Sequence, residues 1–157
     1  VNSESHNFTS EVLFRHSVNS WSNELPNTKY AKWLNKQNFS SDSFIFADAS
    51  GLSRRNKVTT YGLTQFLRRM KKHRYKEYYF SSFSLLGVRG SLSNVSSPFN
   101  LKGKILAKSG TLNDVKSISG LILGEGKIFS IIVNNMDDSL KYIIDILSIV
   151  DQEKSCT

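Results

Sequence analysis

Four consecutive residues, Lys108-Ser109-Gly110-Thr111, carry the side chains in this chain with the plainest chemical use. They end an apolar run, "ILAKSGT", that otherwise reads as a strand. A lysine supplies fixed positive charge, and two hydroxyls supply short hydrogen bonds. A glycine between them lets a ligand lie against the strand backbone. The set suits a carboxylate, with the Thr111 N–H left to donate to an oxyanion. A Lys-Ser-Gly triplet alone has little meaning, because such triplets arise by chance.

The elements that must position these residues follow from pattern. Three strands are expected at about 104–112, 115–123 and 127–134, with Gly124-Glu125-Gly126 as a hairpin turn. The first is read as an edge strand. "DDSLKYIIDILSIV" closes the chain as an amphipathic helix starting near Asp137 or Asp138. Upstream, Phe8, Val12 and Leu13 mark one side of a first helix, with Asn7 as its N-cap and Glu11–Arg15 as an i,i+4 pair. Tyr30, Trp33 and Leu34 mark a second helix. "SFIFADASGLSRRN" is an apolar run that breaks into a turn at Ser50-Gly51, and a third helix runs from about Thr59 to Lys72. Residues 81 to 103, rich in Ser, Gly and Asn, read as a long loop of functional or site-covering type. Helices, an antiparallel meander and a covering helix make an α+β pattern.

Several segments together resemble one family. "AKSGTLNDVKSISG" is similar to the third signature strand of the D-alanyl-D-alanine carboxypeptidases of the penicillin-binding protein 4 type, peptidase family S13. These belong to the penicillin-recognising serine acyl-transferases, which carry Ser-x-x-Lys, Ser-x-Asn and Lys-Thr-Gly or Lys-Ser-Gly motifs. "FADASGLSRRNKVT" is similar to that branch's Asp-Gly-Ser-Gly-Leu-Ser-Arg segment, and "SLLGVRGSL" resembles its Gly-x-x-Gly-Thr-Leu loop. Ser5-His6-Asn7, ahead of a helix, sits where the branch has Ser-x-Asn. Ser17-Val18-Asn19 also fits that pattern, but the helix and the spacing to Lys108 favour Ser5.

This chain departs from the family pattern at four points. Ala49 replaces a glycine, which is mild if its backbone is not in a glycine-only conformation. His6 takes a position usually held by Asp or Asn and, like His16 and His73, reads as a surface residue. Ser109 keeps the hydroxyl of the usual threonine. No serine of the 157 residues is followed by Lys at the third position, so the nucleophile and its base are not among them.

The resemblance implies the C-terminal part of a penicillin-binding/β-lactamase-like transpeptidase domain, with residues 1–157 a single-domain portion and the Ser-x-x-Lys part upstream. It implies a serine-type D-Ala-D-Ala carboxypeptidase or endopeptidase acting on peptidoglycan stem peptides through an acyl-enzyme, with this chain inactive alone. Ser5, Asn7, Lys108 and Thr111 would be catalytic. Lys108, Ser109, Gly110 and Thr111 would bind substrate. No metal or cofactor is implied. The partners would be stem peptides and β-lactams, in the bacterial cell envelope or periplasm.

Composition allows this reading. Hydrophobic residues at 39% plus nine glycines bring the apolar class to about 45%, an ordinary globular value. No apolar run reaches the length of a membrane span. A start on Val1 fits a processed chain or a longer polypeptide. The single cysteine, Cys156, forms no disulfide within the chain and reads as an incidental tail thiol. Net charge is +8, from 21 Lys and Arg against 13 Asp and Glu, which favours anionic partners. Much of that excess lies in "RRMKKHRYK", residues 68 to 76, at the end of the helix whose apolar face is Leu63, Phe66, Leu67 and Met70. A solvated, dipole-compatible helix end accounts for it. The alternatives are a non-catalytic peptidoglycan-binding homologue and a basic nucleic-acid-binding domain, though no nucleic-acid-reading motif is present.

Overall fold

The computed structural model describes all residues except 18, 20, 22, 23 and 154–157. Cys156 and the middle residue of Ser17-Val18-Asn19 therefore lie outside the described residues. The chain forms two compact units, one of residues 1 and 6–66 and one of residues 2–5 and 67–157.

The first unit holds α1 (Asn7–Ser17), α2 (Glu24–Lys36) and the short antiparallel pair β1 (Phe44–Ile45) and β2 (Lys57–Val58). An aromatic chain organises it. Phe14 lies 4.5 Å from Tyr30, Tyr30 meets Phe46 edge-on, Phe46 stacks on Phe44, and Phe39 contacts both Phe44 and Phe66. Such pairs add about 0.5–1.5 kcal/mol each beyond area burial. This corrects the expected face of α1. Phe14 is the buried residue, whereas Phe8 and Leu13 are 75% and 54% exposed. The first turn also differs from expectation. Asn7 is the first helical residue, and His6 stands before it. Its carbonyl accepts from Ser10 N–H, and its Nδ1 accepts from Thr9 N–H at 3.4 Å. An imidazole nitrogen here takes the capping role that a side-chain oxygen usually plays. Glu11 and Arg15 pair as their spacing requires, at 2.6 Å.

Helix α3 (Thr60–Lys71) begins in the first unit and ends in the second. Its last turn carries Arg68, Arg69 and Lys71, and the charged residues of 68–76 are exposed. The Arg74 guanidinium lies 4.6 Å over the Tyr75 ring.

The second unit is built on a four-stranded antiparallel sheet in the order β3 (Ser84–Leu85), β4 (Ile105–Leu112), β5 (Val115–Ile122) and β6 (Lys127–Asn134). The meander matches the strand pattern read from the sequence. Its period of two sorts apolar residues to two faces. Ile105, Ala107, Ile118, Ile122 and Phe129 pack with Ile143, Ile144 and Leu147 of α5 (Ser139–Gln152). Leu106, Leu121 and Ile128 pack on the other face with Leu67, Phe80 and Phe83. Phe80 belongs to α4 (Lys76–Ser81).

Residues 81–103 are more ordered than a long loop. Ser84 and Leu85 pair with Ala107 and Leu106, and Gly90–Leu92 form a 3-10 turn. The polar composition hides five buried residues there, Phe83, Ser84, Leu86, Leu92 and Leu101. They fix the segment to the sheet.

Candidate active site

The site is built from β4 and a four-residue turn at the start of the chain, both within the second unit. Lys108 projects from the sheet face shared with Leu106, and its Nζ donates to Ser5 Oγ at 2.9 Å. It also donates to the carbonyl of Ser109. Burial among its neighbours lowers the Lys108 ammonium below the usual lysine range.

Ser5 sits in a left-handed conformation, φ 52°, at the end of the Asn2–Ser5 turn, with its N–H bonded to Asn2 O. Contacts from Ser82 at the C-terminal cap of α4, from β3 and from the 90–92 turn pin that turn. Ser84 Oγ and Ser91 N–H both donate to Ser3 O, at 2.9 and 2.8 Å. The Asn2 amide donates to Ser82 Oγ at 2.8 Å. Gly90 makes this approach possible. Its φ is +71°, and an added Cβ would come within 2.6 Å of both Ser3 O and Ser84 Oγ.

Ser109 and Thr111 lie on the opposite sheet face from Lys108. Ser109 Oγ is 3.2 Å from Ser91 Oγ, which is 3.1 Å from Ser84 Oγ. The register also sets their backbone. Leu112 and Val115 bracket the two-residue Asn113-Asp114 turn, so they form a hydrogen-bonded pair, and such pairs alternate along the ladder. The Leu123 N–H to Lys104 O bond, 2.8 Å, is in phase with this. The N–H groups of Ser109 and Thr111 therefore point away from β5, to the edge where β3 pairs. That pairing reaches only Ala107, so β4 is an edge strand beyond it among the described strands. Gly110 is exposed, and a Cβ there would stand 2.8 Å from Ser117 Oγ. Asn7 opens α1 in the first unit, with its side chain exposed.

The Asp-Ala-Ser-Gly segment forms a turn in the first unit. The Asp48 carboxylate accepts from Gly51 N–H, Ser53 N–H, Ser50 Oγ and the Asn56 amide. Burial alone would raise its pKa, but these bonds outweigh that and hold it below the usual carboxylate range. Ala49 is not among the left-handed residues, and its N–H donates to Glu11 Oε2 at 2.9 Å. Losing the family's glycine therefore costs no backbone strain. Gly51, at φ +81°, is the position that needs one.

Residue type and spacing assign no role to Ser84, Gly90 or Ser91, although the last two belong to the Gly-x-x-Gly-Ser-Leu run. The available signal was that run itself, which needs a structural reason for two glycines so close together.

An antiparallel sheet layered by helices, with a Lys-Ser-Gly strand at its edge, is the α+β architecture of the penicillin-recognising serine acyl-transferases. Within that class, the model of the D-Ala-D-Ala carboxypeptidase 3 (S13) family matches residues 1–151, and the chain belongs to this family. D-alanyl-D-alanine carboxypeptidase DacB of Haemophilus influenzae is 32% identical over 93 residues, which are 57% of this chain and 19% of that protein. The crystal structure of penicillin binding protein 4 from the same organism superposes with a TM-score of 0.86 at 22% identity. That match covers 97% of this chain and 38% of the other. A predatory peptidoglycan endopeptidase of Bdellovibrio bacteriovorus superposes at 0.70 with 16% identity, over 98% of this chain and 42% of its own. The two structural likenesses show a common fold. The chain spans well under half the length of each of these relatives.

Proposed function

We propose that this chain carries the second and third motifs of a serine-type D-Ala-D-Ala carboxypeptidase acting on peptidoglycan stem peptides in the bacterial cell envelope. In this reading the Ser-x-x-Lys nucleophile and base come from another part of the same polypeptide. The observation that carries it is the 2.9 Å contact between Lys108 Nζ and Ser5 Oγ, joining the two motifs across the chain. Two further observations support it. H. influenzae penicillin binding protein 4 has been crystallised with a β-lactam. The Thr111 N–H points to an open strand edge.

The chemistry follows from those positions. The upstream serine attacks the carbonyl of the penultimate D-alanine, and its proton passes to the upstream lysine. Thr111 N–H supplies half of the oxyanion hole for the tetrahedral intermediate. Ser5 Oγ relays the proton to the leaving amine of the terminal D-alanine as the C–N bond breaks. Asn7 holds the substrate amide or the catalytic lysine. A terminal carboxylate lying along the open edge of β4 meets the Lys108 charge from one face of the sheet and the Ser109 and Thr111 hydroxyls from the other. Water then releases the acyl group. A β-lactam enters the same path, its amide carbonyl taking the attack and its carboxylate meeting the Lys108 strand.

Labelling with a fluorescent penicillin tests the reading. The polypeptide that includes the Ser-x-x-Lys part is expected to be labelled at that serine. Residues 1–157 alone are expected to take no label, because groups acting as a unit lose nearly all activity when one is removed. A polypeptide that never labels would favour a non-catalytic homologue and overturn the proposal. A stable adduct on a serine of residues 1–157 would overturn the roles given to Ser5 and Lys108.

A further inference from the structure

We infer that Ser91 is a positioning residue for carboxylate recognition, acting through a hydroxyl chain that runs from Ser84 through Ser91 to Ser109. The inference rests on the proposed role of Ser109 as a carboxylate ligand.

The chain has a direction that can be read from its end. Each hydroxyl has one proton to give and lone pairs to receive. Ser84 Oγ, fully buried, gives its proton to Ser3 O, which can only accept. At the 3.1 Å contact, therefore, Ser91 must donate to Ser84. At the 3.2 Å contact Ser109 must donate to Ser91. In this resting state the Ser109 proton points away from the ligand, and its lone pairs face any arriving anion. A carboxylate can be met only if Ser109 turns its proton outward.

That reversal has a defined route. Ser109 donates to the carboxylate, Ser91 donates to Ser109, and Ser84 donates to Ser91. Ser3 O gives up the Ser84 bond and keeps the Ser91 N–H bond of 2.8 Å. Only hydroxyl rotations are involved, and no proton changes its oxygen. In the reversed chain Ser91 and Ser109 each accept and donate, so each bond polarises the next toward the anion. Ser91 is the link on which this depends. Without its hydroxyl, Ser109 faces the anion with no donor behind it. With threonine, the hydroxyl is kept.

The test uses the polypeptide that includes the Ser-x-x-Lys part, in wild-type, Ser91→Ala, Ser91→Thr and Ser91→Cys forms. Acylation rates are compared for two otherwise identical depsipeptide substrates, one ending in a free carboxylate and one in a carboxamide. Ser91→Ala is expected to slow acylation by the carboxylate substrate about tenfold, the scale of one hydrogen bond to a charged group. The carboxamide substrate should be unchanged, and Ser91→Thr should restore the preference. Should Ser91→Ala fail to fold, Ser91→Cys, a weak donor of similar size, is expected to lower the same ratio. Equal slowing of both substrates, or no slowing of either, would overturn the inference while leaving the proposed function intact. Failure of the wild type to be acylated by either substrate or by penicillin would overturn the proposed function, and this inference with it.

Discussion

Lys108 Nζ and Ser5 Oγ meet at 2.9 Å although 103 positions separate them in the chain. The lysine is presented by a regular strand. The serine is presented by a short turn in a left-handed conformation that the surrounding hydroxyls and backbone hold in place. The lysine is also partly withdrawn from water, which makes its charge conditional on pH.

For that reason the alkaline limb of activity should report Lys108. Burial lowers its pKa, so its charge is lost at a lower pH than for an exposed lysine. Between the folded value and the ordinary one the unfolded chain binds more protons, so stability should rise with pH there while anion recognition falls. Penicillin acylation of the Ser-x-x-Lys-containing polypeptide, followed against pH, is expected to decline below the usual lysine range. Lys108→Arg should abolish that decline, and Lys108→Ala should lower acylation at neutral pH by about 10- to 100-fold. A decline unchanged in the arginine variant would assign it to another group.

The Asp48 turn should be the acid-sensitive part of the first unit. Its carboxylate is held below the ordinary value, so the unfolded chain takes up that proton first. The stability it contributes is present above about pH 4 and lost as pH falls through the folded value. Hydrogen exchange at Gly51 and Ser53, whose N–H groups bond the carboxylate, should accelerate on acidification. Asp48→Asn should show the faster exchange already at neutral pH. Protection that is insensitive to both changes would mean that the turn is held by other contacts.

The sheet's α5 face should be costly to hollow. Leu147 is fully buried between α5 and the strands. Leu147→Ala is expected to destabilise by about 2–5 kcal/mol, the range for a large-to-small core change. Chemical denaturation reads this directly, and a loss under about 1 kcal/mol would mean the site collapses around the smaller residue.

Much of this architecture is legible in the sequence, and the reason is periodicity. Strands β4 to β6 bury alternate residues on two covered faces, and α5 repeats its apolar residues at helical spacing, so both patterns survive in the sequence. The polar span 81–103 was not legible in the same way. Its five buried residues are scattered among serines, glycines and asparagines, and β3 is only two residues long. The start of α1 misled for a different reason. Asn7 is a common capping residue, but the imidazole of His6 already accepts at the cap. In the candidate site the motif residues could be read from type and spacing. The support from Ser84 and Ser91 could not, because a hydroxyl's partner depends on tertiary approach.

Gly90 offers the sharpest test of that support. The residue lies at φ +71°, where a side chain is strained wherever it points. A Cβ would in addition stand 2.6 Å from Ser3 O and 2.6 Å from Ser84 Oγ, and the first of these is backbone that cannot simply rotate aside. Gly90→Ala must therefore push the 90–92 turn and the Asn2–Ser5 turn apart, lengthening the Ser91 N–H bond to Ser3 O. Ser5 rides on that second turn, so its hydroxyl should leave the reach of Lys108. The expected outcome in the Ser-x-x-Lys-containing polypeptide is a loss of penicillin acylation of about 100-fold or more, a scale at which a misplacement of about 1 Å is enough. The stability cost should be modest by comparison, about 1–3 kcal/mol for a strained backbone position. Gly51→Ala provides the control, because it carries similar backbone strain at φ +81° with no atom within 4 Å of the added Cβ. It should cost comparable stability without comparable loss of acylation. Equal losses of acylation in the two variants would mean that Gly90 acts through general destabilisation and that the Ser3 contact does not set the position of Ser5.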